Sequence, residues 1–328
     1  MENELKDYIE DCLIKSLPFA IFRFPSEKEY HISGREGFRI SINGFNKKYS
    51  EAKVIPGSQE YELPTVPDTT DKEDYLKAVK ETVSFHRGKN GGKTVLSRVI
   101  AGKTDVTRLT DAVEKYFDDN PSSFCLMSFM APDKVWLMAT PELLLKTVNG
   151  KYHTVALAGT RPAQACDVPW DVKNRDEQQM VADYIQNCFE RLGMPVLQKQ
   201  TETVRSGNIE HICTRFTVAE HENSFGEILD ELSPTPAVCG FPMEAALEKI
   251  HRLETHERGL YAGYTVVRRP SGDSEAYVNL RGAIIDVNTG RFAIYVGSGV
   301  TADSEPEDEF NETMLKGAPL KNRLENFY

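Results

Sequence analysis

The sequence predicts an α+β fold in which antiparallel sheet predominates, and three observations carry that prediction. Asn149-Gly150 separates two alternating apolar segments, and both turn residues tolerate the positive φ of a two-residue hairpin. Asn288-Thr-Gly290 joins a second pair of strand-like runs. Helical patterns are interspersed among such strands and do not alternate with them singly, which argues against βαβ units.

The elements follow in order. A helical stretch over 5–17 and a strand at Phe38–Ile42 open the chain, and a Pro-rich polar segment over 56–71 reads as a connector. Asp71 caps a helix whose Tyr75, Val79 and Val83 form one apolar stripe. Gly88-Lys-Asn-Gly-Gly92 ends it and leads into a strand from Lys93 to Ile100. A helix is expected over Val106–Phe117, then strands at Ser123–Met130, Val135–Met138, Leu143–Val148 and Tyr152–Leu157. Met180, Ile185, Phe189 and Leu192 mark the buried side of a helix over Glu177–Leu192. Further strands are expected at His211–Ala219, Leu260–Val267, Ala276–Asp286 and Arg291–Val296. A last helix starts near Pro306, a residue suited to a first turn. No internal repeat appears.

Composition narrows the function classes. The chain of 328 residues, 40% hydrophobic, can build a substantial core. A net charge of −11 without a basic cluster argues against nucleic acid as a partner. Six scattered cysteines show no metal spacing and read as reduced, mostly buried thiols. The N-terminus lacks the pattern of a signal peptide, and no run approaches the ~18 apolar residues of a membrane span. The expectation is a soluble cytoplasmic protein with no membrane partner.

Several residues could carry chemistry. Glu142 enters a strand immediately before three leucines, where a carboxyl group tends to keep its proton, as a general acid must. Lys93 starts a strand in apolar company; burial would favour its neutral form and suit it as a base, whereas a first-position lysine in solvent is idle. Glu309, Glu312 and Lys316 share one helical face, which could hold a hard divalent cation or be a solvated surface with an ion pair. Glu177 opens a helix and could simply favour its dipole. Gly297-Ser-Gly-Val300 ends a strand with small residues, leaving amides open to an anion, or is an ordinary turn. Arg281, inside an apolar strand, calls for an internal or ligand anion. His211, between apolar neighbours, fits a satisfied core histidine.

In this order the segments resemble the chorismate-utilising enzymes over about three quarters of the chain, from Tyr75 to the C-terminus. The carriers are Lys93-Thr-Val-Leu-Ser-Arg98, Thr140-Pro-Glu-Leu-Leu-Leu145, Leu157-Ala-Gly-Thr160 and Leu232-Ser-Pro-Thr-Pro-Ala-Val-Cys-Gly-Phe-Pro242. Glu257-Arg-Gly-Leu-Tyr-Ala-Gly263, Asn279-Leu-Arg-Gly-Ala283, Gly297-Ser-Gly299 and Glu309-Phe-Asn-Glu-Thr313 complete the set. The resemblance implies one large α+β domain with its active site between sheet-bearing halves, residues 71–328 forming the catalytic part and residues 1–70 a short region integrated into the fold.

The resemblance also implies roles. Lys93 would be the base that activates water and Glu142 the acid that protonates the departing hydroxyl, as in the isochorismate synthases. Glu177 and Glu312 would hold Mg²⁺, with Glu309 supporting. Gly159, Thr160, Gly297, Ser298, Gly299 and Lys316 would line carboxylate sites, Arg281 and Tyr295 would hold the enolpyruvyl carboxylate, and His211 would line the pocket. The Asp-Leu-Xaa-Arg-Asn-Asp signature of the amine-transferring branch is absent from 181–189, so water is the expected nucleophile and no glutaminase partner is expected. Salicylate synthase, which adds pyruvate elimination, and a non-catalytic chorismate-binding subunit are the alternatives. A monomer is expected by resemblance. Asn174 departs from the family pattern around the first metal ligand, where an acidic residue often stands.

Overall fold

Along the strand that begins at Lys93, successive side chains enter different cores: Val99 packs into one and Ile100 into another. The period of two is that of a pleated strand buried on both faces. Trp136 and Met138 against Val135 and Leu137, and Tyr295 against Ile294 and Val296, repeat the alternation. The computed structural model describes residues 1–49, 65–89, 91–131, 133–162, 168–206, 209–219, 221 and 223–326; part of the expected connector and Cys166 lie outside these residues.

One sheet contains β1 (Phe19–Arg23), β2 (His31–Ile32), β4 (Lys93–Lys103), β5 (Phe124–Ala131), β6 (Lys134–Thr140), β11 (Gly240–Phe241), β14 (Gly282–Asp286) and β15 (Arg291–Val300), in the order β11-β4-β15-β14-β6-β5-β1-β2. The other contains β3 (Arg39–Asn43), β7 (Leu143–Val148), β8 (Lys151–Pro162), β9 (Val196–Ser206), β10 (Ile209–Val218), β12 (Tyr264–Arg268) and β13 (Ser274–Val278), in the order β3-β12-β13-β7-β8-β10-β9. The β7–β8 turn is the Asn149-Gly150 hairpin, with φ of 51° and 74° at the two residues. The strand pairs are antiparallel, so the expected fold class holds.

The largest core draws Val99, Trp136, Ile284 and Tyr295 from the first sheet and Leu145, Tyr264, Val266 and Tyr277 from the second. The first sheet's opposite face is covered by α1 (Asn3–Ile14), α3 (Leu109–Asp118) and α7 (Pro306–Asn326), through Ile9, Val113 and Leu320. The second sheet packs on α4 (Val172–Arg191) and α5 (Phe225–Leu232). α2 (Lys72–Gly88) is capped by the Asp71 carboxylate, which accepts from the Glu73 and Asp74 amides. The remaining helix, α6 (Met243–Leu253), lies against β4. No helix among the described residues is long and apolar enough to cross a membrane. The five described cysteines are free and buried.

Two expectations are corrected. The strand expected over Ala276–Asp286 is two strands in different sheets, broken at 279–281. Asn279, fully buried, donates to the Asn43 and Leu260 carbonyls and accepts from Thr265, and this bends the chain away from β13. Arg281 then takes a φ of 51° and Gly282 packs where a Cβ would lie 2.7 Å from the Leu137 carbonyl. α4 likewise begins at Val172 under an Asp171 cap, so Glu177 lies beyond the first turn and outside the reach of the helix dipole. β9, α5 and α6 were not expected, although the capping box of Ser224 and Glu227 is a legible signal for α5.

Candidate active site

Two chain crossings between the sheets make the site. The first runs from β6 to β7 through Pro141 and Glu142; the second runs from β13 to β14 through Asn279, Leu280 and Arg281. A hydrogen bond of 3.0 Å from the Val278 amide to the Glu142 carbonyl ties the two crossings together. Between them opens a cavity of about 490 Å³ lined by residues of β4, β8, β10, β15, α4 and α7. All the residues proposed from the sequence line it except Thr160, whose backbone continues β8 beside Gly159 and whose side chain lies outside the description.

Glu142 has no side-chain hydrogen bond among the described residues, and apolar Leu143, Leu157 and Ala237 share the space around it. Burial therefore dominates and pushes its carboxyl up to about 7, against the opposing pull of Lys93, then Lys316 and Arg281. A carboxyl in that range holds and releases a proton near neutrality. Lys93 is 8% exposed and donates to Glu177 at 2.6 Å. Its path there crosses Gly299, where a Cβ would fall 2.4 Å from Lys93 Cε. Gly299→Ala is therefore expected to swing Lys93 off Glu177 and lower kcat on the order of tenfold to a hundredfold. Steady-state kinetics beside a thermal melt check this; an unchanged kcat would show that the lysine tolerates displacement.

Gly159 occupies a β-bulge. His211 pairs with Thr160 and Ile212 with Ala158, leaving Gly159 extra, with φ at 71°. A Cβ there would press on Asn174 at 3.2 Å. The bulge aims the Gly159 carbonyl at His211, whose Nδ1 donates to it at 3.1 Å. Since a carbonyl only accepts, the neutral imidazole presents Nε2 as an acceptor. Burial lowers the proton affinity of His211, which favours that neutral form.

Gly297, Ser298 and Gly299 end a strand, and the alternative of an ordinary turn is excluded. They continue β15, paired with Ser97, Leu96 and Val95 of β4. The Gly297 carbonyl accepts from Lys316 at 3.0 Å, and the Ser298 hydroxyl bonds to the Tyr75 hydroxyl at 2.9 Å. Arg281 is a surprise: far from being buried, it is exposed at its corner, and no ion pair engages its guanidinium among the described residues. Tyr295 is buried, and its ring stacks on Tyr261 with centroids 5.7 Å apart. Tyr261, Val238 and Leu280 line the cavity without having been singled out; the segments Glu257–Gly263, Leu232–Pro242 and Asn279–Ala283 carried the signal.

Glu177 from α4 and Glu309 and Glu312 from α7 bring three carboxylates to the wall. Oxygen-only donors of this kind suit a hard divalent cation. As placed, no group of three acidic, His or Cys side chains among the described residues is gathered closely enough to hold an ion. Lys93 holds Glu177, and Lys316 holds Glu312 at 2.6 Å. The donor chemistry therefore fits, with a lysine on each of two ligands. Three cations (Lys93, Arg281, Lys316) face four carboxyls, and protonation of Glu142 leaves the wall neutral.

Comparison with known proteins identifies the family. The chain is 26% identical over 312 residues to the isochorismate synthase MenF of Bacillus subtilis, covering 89% of this chain and 64% of that one. It is 31% identical over 268 residues to anthranilate synthase component 1 of Aeropyrum pernix, covering 78% and 60%. It thus spans about three fifths of the length of these relatives. The solved structure of MenF, the menaquinone-specific isochorismate synthase from Escherichia coli, superposes with a TM-score of 0.77 at 18% identity, over 94% of this chain and 89% of that one, and so shares its fold. The family model described as "Chorismate binding enzyme" matches residues 41–325, and with that span the chain belongs to the chorismate-binding enzymes.

Proposed function

We propose that the protein is an Mg²⁺-dependent isochorismate synthase, converting chorismate reversibly to isochorismate. The observation that supports this reading is the pairing of Lys93 and Glu142 on one cavity, with Glu142 held near neutrality. Lys93 Nζ would first leave Glu177 and release its ammonium proton to solvent through the open cavity, because an ammonium has no lone pair to offer; the neutral amine would then take a proton from the water that attacks C2. Protonated Glu142 would give its proton to the C4 hydroxyl as the C4–O bond breaks and the ring double bonds shift. One water enters and one leaves, so the reaction is an isomerisation. The exposed Arg281 fork suits one substrate carboxylate bidentately, with Tyr295 on the same cavity. Gly159, Thr160, Lys316 and the Gly297 and Gly299 amides, which point away from β4, suit the other, with Ser298 between them.

Glu177, Glu309 and Glu312 would hold Mg²⁺, which when bound supplies charge to a substrate carboxylate and draws electron density from the ring. Residues 71–328 carry this machinery in the proposal, residues 1–70 complete the sheets, and the enzyme works as a cytoplasmic monomer without a glutaminase.

Purified protein incubated with chorismate and Mg²⁺ is expected to form isochorismate, separable by chromatography, and EDTA is expected to abolish it. Salicylate and pyruvate formed at matching rates would move the protein to the salicylate synthases. Unchanged chorismate with binding intact would leave a non-catalytic subunit.

A further inference from the structure

At about 100° per residue, α7 presents two adjacent stripes. Glu309, Glu312 and Lys316 face the cavity; Phe310, Thr313 and Gly317 face the first sheet. The second stripe is docked tightly. A Cβ on Gly317 would lie 2.6 Å from Ile100 Cδ1, so the helix backbone rests almost on β4. One charged side chain meets this stripe from below. Arg98 of β4 is 2% exposed; its Nε donates to Thr313 Oγ1 at 2.6 Å, and that hydroxyl donates to the Phe310 carbonyl at 2.6 Å. Its guanidinium carbon lies 4.3 Å from the Phe310 ring centroid and 5.8 Å from that of Tyr75. Lys72 reaches the Phe310 ring at 4.9 Å, so two cations flank one ring.

Arg98 has no carboxylate partner among the described residues, and its Nη2 has no hydrogen-bond partner there. A buried guanidinium without a counterion is costly, and a methionine would fill the space more cheaply if packing were its whole purpose. The cation instead engages the one turn of α7 that lies between and beside the two cavity carboxylates.

We propose that Arg98 is a positioning residue that fixes the rotation of α7 and so presents Glu309 and Glu312 to the divalent cation. The inference rests on the proposed role of those carboxylates. Because the two stripes are neighbours on one helix, a small roll of α7 about its axis moves both carboxylates along the cavity wall. Arg98 resists the roll through a directional hydrogen bond and a face-on ring contact, which a hydrophobic residue cannot supply.

The test titrates MgCl₂ into wild type, Arg98→Met, Thr313→Val and Glu312→Gln, with heat of binding as the readout. Amide hydrogen exchange over 307–317 is followed in parallel. Arg98→Met is expected to weaken Mg²⁺ binding on the order of tenfold to a hundredfold, as removal of a ligand's supporting partner does. Thr313→Val, which keeps the shape and removes the acceptor, should move it in the same direction and covers the case in which Arg98→Met fails to fold. Mg²⁺ affinity unchanged in both variants, with only a lower melting temperature, would overturn the proposal. If Glu312→Gln binds as wild type, or wild type shows no heat, the metal reading itself fails. Exchange then decides: faster exchange over 307–317 in Arg98→Met supports the positioning role, and unchanged exchange overturns it.

Discussion

Glu142→Gln is expected to lower kcat by on the order of 10²–10⁴, the usual worth of a positioned general acid, and also to make the protein more stable above pH 7. Both effects have one cause. The carboxyl sits in apolar company without a hydrogen bond among the described residues, so its pKa rises from 4.5 to about 7. The protonated form leaves the folded state undisturbed, whereas the ionised form is held there at a cost. Between pH 4.5 and 7 the folded protein binds more protons than the unfolded chain at this site. Its stabilising contribution is therefore full below 4.5 and lost as pH rises through 7. The shift bounds the loss at about 3 kcal/mol, and the carboxyl's access to the cavity reduces it. Glutamine keeps the shape without the charge, so its melting temperature should match wild type at pH 4 and exceed it at pH 8. In wild type the same titration predicts that kcat falls as pH rises through about 7. A glutamine variant with wild-type kcat, or one destabilised at pH 8, would remove Glu142 from the role of acid.

Lys93→Ala is expected to cost a similar factor, on the order of 10²–10⁴, with chorismate binding retained. The ammonium is also the foremost charge opposing the rise in Glu142's pKa. Removing it should carry the alkaline limb of the remaining activity to higher pH, because Glu142 then keeps its proton longer. A purely structural lysine would not move that limb. The double variant should lose much less than the product of the two single losses, since an acid without its base accelerates little. A kcat within tenfold of wild type would end the assignment of Lys93 as base.

The local sequence determined a good deal. Alternation and turn chemistry identified the β7–β8 hairpin, the Asp71 cap, the strand from Lys93 and the helix from Pro306, because each depends on neighbours a few residues apart. The spacing of Glu309, Glu312 and Lys316 put them on one face, and the three leucines after Glu142 correctly announced a carboxyl with a raised pKa. What local pattern could not settle was where strands change sheets. Val278 and Gly282 read as one apolar run, yet Asn279 is bent by carbonyls at Asn43 and Leu260, 236 and 19 residues away in the chain, and Arg281 is thereby turned from a strand interior to an open corner. The ion pair of Lys93 with Glu177, 84 residues apart, and the lodging of Arg98 under Thr313 are likewise products of packing. Periodicity records which side of an element is buried, since that is decided residue by residue. Which elements meet across that buried side depends on the whole chain closing at once, and the cavity exists only where two sheets and two helices do so.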